Sequence, residues 1–314
     1  ISRSCSRRFQ PCFLLKARRS LTSMAAEVAL GLIGIILPSL VVTAVVRRWI
    51  EPVSWNVSCL FLTLVIAFLG RGVLTQDVPI PLDKATRGYP HRAVTDASEA
   101  GNPLTVETAL QILAWMHVVR ESFAAAKAPL WNRYSYSGCP LLANAQSAPF
   151  SPFFMATVFV PLPKQLVAMA GLKLFVALLF GFLLIRDEGV SPASAIFGAL
   201  IFAFSLFQVV FLYYPMTAVT SLLPALLFSV GRVIRRPSIS SGLLLGLVTA
   251  AIMLAGHPES AVHCAIAALG YTALEWLAPR AEHRWRRAAS TMVASIIWAS
   301  LISAPAWAPM VEQV

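Results

Sequence analysis

Glu107, Gln111 and Trp115 follow one another at intervals of four within residues 106–126, VETALQILAWMHVVRESFAAA. On a helix this spacing sets a carboxylate, an amide and an indole on one face. Apolar Leu110, Leu113, Ala114, Met116 and Val118 recur at near-helical intervals, so the helix is expected to lie along a membrane surface with its carboxylate near the headgroups. A second group follows in residues 128–153, APLWNRYSYSGCPLLANAQSAPFSPF, where Pro129, Gly138, Pro140, Pro149 and Pro152 interrupt regular structure. Between them stand Trp131, Asn132, Tyr134, Tyr136, Asn144 and Gln146. Aromatic rings cover apolar sugar faces and amides bond sugar hydroxyls, so this mixture suits sugar recognition. The same residues also read as an interfacial aromatic belt with turn-forming Asn and Gly. The third group is LAGHPESAVH at 254–263, where His257 and Glu259 flank Pro258 and His263 lies further on. Polar residues at the mouth of an apolar span point to a site, or to a turn whose His and Glu cap helix ends. The spacing is not HExxH, so no metallopeptidase is implied.

The rest of the chain must hold these groups in place. It has 314 residues, 58% hydrophobic and only 12% charged. Soluble domains carry about 25% charged residues, so soluble, disordered and coiled-coil classes are excluded and a polytopic membrane protein remains. A crossing helix needs about 20 mostly apolar residues. Eight stretches qualify in the sequence: 25–46, 54–74, 166–185, 190–212, 216–233, 240–256, 259–278 and 289–307. The expected fold is therefore all-α and polytopic, with about eight transmembrane helices and one long external loop, 75–165, that carries the interfacial helix. The short run 150–162, with Pro152 and Pro161, reads as a re-entrant or interfacial element.

The charge pattern orients this arrangement. Arg47 and Arg48, Arg186, Arg232, Arg235 and Arg236, and Arg280, Arg284, Arg286 and Arg287 occupy short connections that eight spans bring to one face, expected to be cytoplasmic. The opposite face receives the long loop with its acids Asp77, Asp83, Asp96, Glu99, Glu107 and Glu121. Those acids could hold a divalent metal ion, although they show no ligand spacing; no other cofactor is implied. The net charge of +11 thus resolves into membrane-flanking loops and a basic tail, which argues against nucleic acid as a partner. The tail is 1–23, Arg-rich and free of acid. It is expected to be a targeting segment or to lie upstream of a start at Met24, with 24–314 forming the transmembrane domain. The apolar run near Val314 suggests a chain that continues. Five cysteines show no CxxC and no metal spacing.

The stretch PLWNRYSYSGCPLLANAQSAPFSP resembles the PLWNPYxFxGxPLLANxQSAxFYP signature of YfhO-like bacterial membrane proteins. ETALQILAW is similar to the segment that precedes it in that family, and LAGHPES to the family's GHPQ turn. Order and spacing agree from about residue 104 onward. The resemblance implies a membrane glycosyltransferase fold of the GT-C type, in the bacterial cytoplasmic (inner) membrane with its active face external or periplasmic. It also implies transfer of a sugar from a polyprenyl-phosphate carrier to an envelope glycopolymer or lipid acceptor. It places Glu107 at the position of the family's catalytic acid, usually Asp; Asp77 and Asp96 are reserve carboxylates on the same external segment. The family's Pro before Trp is Ala114 here, its second motif Pro is Arg133, and Glu259 replaces its Gln. In this reading Arg120, Arg133 and His257 are candidate phosphate partners. Gln111, Trp115, Trp131, Asn132, Tyr134, Asn144, Gln146 and Glu259 complete the substrate side.

Two other readings stand beside this one. A non-catalytic scaffold or lipid-carrier or polymer-binding protein could use the same fold. A transporter is disfavoured because no repeat is evident, and Lys173, Glu275 and Arg71 are expected near span ends or snorkelling.

Overall fold

The structure is a computed structural model that describes residues 21–75, 77, 78, 80, 106–277 and 285–312. Residues 1–20 of the basic tail, Asp96, Arg280, Arg284 and most of 76–105 lie outside the described residues, while 21–23 begin the first helix. The fold is nearly all-α. Helix α1 (Leu21–Val45) passes into a π-turn (Val46–Ile50), followed by α2 (Trp55–Leu69) and the short α3 (Arg71–Leu74). Next come a second π-turn (Thr108–Ile112) continuous with α4 (Leu113–Ala124), the strands β1 (Trp131–Asn132) and β2 (Cys139–Pro140), and α5 (Pro152–Thr157). The remainder is α6 (Leu162–Asp187), α7 (Pro192–Ala203), α8 (Leu206–Val210), α9 (Pro215–Thr220), α10 (Leu223–Arg235), α11 (Ile239–Leu254), α12 (Pro258–Leu277) and α13 (Trp285–Val311).

Local chemistry sets these boundaries. Pro192, Pro215 and Pro224 stand in the first turns of α7, α9 and α10, where a missing N–H costs nothing. Pro215 and Pro224 mark the breaks before α9 and α10, while α7 gives way to α8 at Phe204–Ser205 without a proline. The Ser54 hydroxyl caps α2 by accepting from the Asn56 amide at 3.2 Å, and Ser238 with Ser241 forms a capping box at the start of α11.

Helix α6 is the centre of the bundle. Its apolar residues run round its whole circumference, as a helix buried on every side requires, and Leu166 to Leu183 are all buried apart from Met169. Helices α1, α2, α7 and α10 pack around it, while α11 and α13 form a second closely packed pair. The outward faces remain apolar: Leu243, Leu247, Ile266, Leu269, Ile296 and Leu301 are exposed. A continuous apolar exterior of this extent marks a surface that water does not cover.

Among the described residues, four helical stretches are long and apolar enough to cross a membrane: Met24–Ile50, Leu162–Asp187, Pro215–Arg235 and Trp285–Val311. The other apolar stretches are helical too, but α2, α7 and α11 are shorter, and α12 carries polar residues at both ends. The run at 150–162 folds as the six-residue α5, which buries Phe153 and Phe154. The segment expected to remain loop until 165 ends earlier, because α6 begins at Leu162 and takes Lys164 inside.

The charged connections gather at one end. Arg232 meets Glu51 at 2.7 Å, and Arg235 meets Asp187 at 2.6 Å and Glu275 at 2.7 Å. These contacts join the ends of α1, α6, α10 and α12. Glu275, expected at a span end, is there but committed to Arg235.

Candidate functional site

The three sequence groups converge at the opposite end of the bundle. The amide-rich segment turns back on itself between β1 and β2, which pair antiparallel with Trp131 opposite Pro140 and Asn132 opposite Cys139. Gly138 takes φ +112°, and a Cβ there would lie 2.4 Å from Trp131 Nε1, so the indole crosses the turn in contact with backbone. The chain then makes a 3-10 turn over Ala145–Ser147, capped by the Asn144 side chain accepting from the Gln146 amide at 3.3 Å. The turn between α11 and α12 docks against it. Gly256 has φ +88°, and a Cβ there would come within 2.4 Å of Ala148 Cβ and 2.7 Å of the Ala145 carbonyl. Helix α4 closes the third side, its Ile112 and Met116 facing the same Ser147–Ala148 backbone.

A π-turn at Thr108–Ile112 opens the helix. Thr108, Ile112, Met116 and Val119 are buried at helical spacing, while Leu110 is 56% exposed and Ala114 is exposed as well. Glu107 and Gln111 are exposed and Trp115 is half-buried, which keeps the carboxylate accessible. The Tyr214 phenol lies against Glu107 and Thr108, and its burial pushes its pKa up.

Two cavities occupy the convergence. One, of about 160 Å³, is apolar and lies between Leu142, Phe150, Leu254, Ala261 and Trp307. The other, of about 30 Å³, lies between Ile112, Gln146, Ser151, Lys173, Tyr213 and Tyr214, enough for about two waters. Ser151 Oγ is buried at this cavity with no hydrogen-bond partner among the described residues.

Lys173 forms the inner wall of that cavity. It was expected near a span end, but it lies midway along α6, only 3% exposed. Its Nζ donates to Tyr214 O at 2.8 Å, Leu212 O at 3.0 Å and Thr217 Oγ1 at 3.3 Å. Those acceptors come from the break between α8 and α9, where helix ends leave carbonyls unpaired. Lys164 does the same for the end of α3, donating to Gly72 O at 2.8 Å, to Asp77 O at 3.1 Å and to Thr75 O. Neither lysine snorkels; each satisfies a broken helix. Lys173→Met leaves that break with Thr217 alone to bond its carbonyls. We expect a loss of about 2 kcal/mol, read as a lower unfolding temperature in detergent, with Lys127→Met, at an exposed position, unchanged.

Several expected phosphate or sugar contacts are committed to the fold. Arg120 Nη1 donates to Val158 O at 2.6 Å, Val160 O at 2.8 Å and Gln165 Oε1 at 2.7 Å, tying α4 to the start of α6. Arg133 pairs with Glu121 and stacks on Tyr134, exposed to solvent. Asn132 is buried and closes its own turn, accepting from the Tyr134 amide at 3.0 Å. His257 Nδ1 accepts from the Ser260 amide at 3.1 Å and so caps α12, and burial holds its pKa below the usual value. Asp77 pairs with Arg71 at 2.7 Å on the surface. Trp131, Tyr134, Gln146 and Glu259 remain exposed, and of these Gln146 lines the smaller cavity. Among the described residues no three His, Cys, Asp or Glu gather closely enough to hold a metal ion.

The sequence groups did not single out Tyr214, Ser151 or Gly256. Lys173 carried the clearest signal, since a lone lysine inside an apolar run needs a partner. No family model, curated protein or solved structure matches the chain.

Proposed function

We propose that this chain is a glycosyltransferase-like membrane protein that moves a sugar from a polyprenyl-phosphate carrier to an envelope acceptor. Eight helical passes would put the Glu107 end on the outer face of a bacterial inner membrane. The observation that carries the reading is the docking of Gly256 on Ala145–Ala148 beside the start of α4, which gathers the three motif segments at one end of an apolar bundle.

The chemistry assigned to that end balances with few groups. Glu107 takes the proton of the acceptor hydroxyl as its oxygen attacks the anomeric carbon. The bond from that carbon to the phosphate oxygen breaks, and the phosphate leaves with the electron pair, still attached to its lipid. A lipid-borne phosphate lies at headgroup level, where Gln146 and Gln111 offer hydrogen bonds and Trp131 and Tyr134 offer ring faces. The apolar cavity beside Trp307 would take the first part of the lipid chain.

The non-catalytic reading has one observation in its favour. Arg120, Arg133 and His257, the expected phosphate partners, are held by other groups of the chain. Membranes containing the protein, incubated with radiolabelled polyprenyl-phosphate sugar, decide between the two. We expect label to pass into a product that membranes lacking the protein do not form. Binding of the labelled carrier without release of polyprenyl phosphate supports the scaffold instead.

A further inference from the structure

We propose that the small cavity against Lys173 binds one monatomic anion of chloride's size, with the Ser151 hydroxyl donating to it and the Lys173 ammonium balancing its charge. The cavity lies between α4, the 3-10 turn at Ala145–Ser147, α6 and the start of α9. Among the described residues Lys173 is the one charged side chain that lines it, and no carboxylate does. Glu107, which lies against the Tyr214 phenol, is exposed and stands outside the lining.

The hydrogen bonds of Lys173 hold it charged without neutralising it. Its Nζ meets three acceptors, Leu212 O, Tyr214 O and Thr217 Oγ1. The Thr217 hydroxyl gives its own hydrogen to a backbone carbonyl, lying 2.9 Å from both Phe211 O and Tyr214 O, so towards Nζ it accepts. Three acceptors need three N–H groups, and the ammonium is the form that has them. All three acceptors are neutral, and no carboxylate among the described residues acts on Lys173. A full charge held in the interior without an opposite charge is costly. The second observation is independent of the first. Ser151 is 1% exposed, and its Oγ has no hydrogen-bond partner among the described residues. An orphaned buried hydroxyl also costs free energy, and an occupant of the cavity removes that cost. Gln146 and Tyr213 line the same space and bring an amide and a phenol as further donors. Gln146 is also exposed, which gives an ion a way in. A volume of about 30 Å³ admits a single small ion and is too small for phosphate or sulfate. Water would satisfy Ser151 but leave the Lys173 charge unbalanced. The proposal does not depend on the sugar-transfer reading.

Equilibrium dialysis of the purified full chain in detergent against radioactive chloride tests it. We expect one chloride per chain, displaced by bromide and not by sulfate or gluconate at equal ionic strength. Ser151→Ala should weaken chloride at least tenfold, the effect of removing a donor to a charged group. Lys173→Met should abolish binding, while Lys127→Met, at an exposed position, keeps it. Thermal unfolding gives a second reading. Chloride should raise the unfolding temperature of the wild type saturably, and Ser151→Ala should need at least tenfold more chloride for the same rise. Should Lys173→Met fail to fold, Ser151→Ala decides alone. A chain that binds no chloride, and so holds water there, overturns the proposal. So does chloride binding unchanged in Ser151→Ala, or equal stabilisation by chloride, sulfate and gluconate.

Discussion

Glu107→Gln should reduce sugar transfer at least about a hundredfold, because a positioned general base contributes about 10²–10⁴ in rate, while the protein stays in the membrane at its normal level. The exchange keeps the size of the side chain and removes only its ability to accept a proton. Glu107 is exposed at the start of the π-turn, so no packing is lost with the charge. Tyr214, pressed against the same turn, fixes where the side chain begins. The comparison to make is Asp77→Asn, which breaks a surface pair with Arg71 and should leave transfer within about twofold, as exposed pairs contribute little. Rates are read from labelled polyprenyl-phosphate sugar under single-turnover conditions, with protein level checked in the same membranes. Undiminished transfer by Glu107→Gln would remove Glu107 from the chemistry. An equal loss in Asp77→Asn would move the base to the alternate carboxylate.

Much of the bundle was legible because apolar runs are a strong signal. Where they are described, all eight stretches are mostly helical, and the arginines of 47–51, 186 and 232–236 share one end, as loop charges alone suggested. The length of each crossing was less legible. The stretch 190–212 divides at Phe204–Ser205 into α7 and the five-residue α8, whereas 216–233 lies within one long apolar span, Pro215–Arg235, despite Pro224. Helical spacing held through residues 108–119: Thr108, Ile112, Met116 and Val119 are buried at intervals of four, four and three, with Leu110 and Ala114 on the exposed side. The partners of Arg120 were invisible because Val158 O and Gln165 lie about forty residues away, and they accept through geometry that spacing does not encode. Lys173 was visible as a residue but misread as to depth. A lysine can be buried mid-helix when a neighbouring helix breaks and turns its free carbonyls inward, and a single run of sequence does not announce its neighbour.

That dependence on a neighbour is sharpest at Gly256. Gly256→Ala is expected to destabilise the protein by about 2–5 kcal/mol, since left-handed backbone costs an L-residue about 1–2 kcal/mol and overpacking adds about 1–3. Both terms apply here: φ is +88°, and the new methyl would meet Ala148 Cβ at 2.4 Å and the Ala145 carbonyl at 2.7 Å. The backbone on one side is a capped 3-10 turn and on the other the start of α12, so neither yields by a rotamer change. Gly270→Ala supplies the control, because it lies inside α12 with nothing within 4 Å of the added methyl. Its helical position should make that change neutral or stabilising by up to about 1 kcal/mol. Ala148→Gly in the Gly256→Ala background should recover part of the loss. It removes the methyl at 2.4 Å and relaxes a residue that itself sits at φ +41°, but the Ala145 carbonyl remains. Thermal unfolding in detergent measures all three. If Gly256→Ala melts with the wild type, the 254–259 turn does not bear on the 145–148 turn, and the convergence that supports the sugar-transfer reading is lost with it.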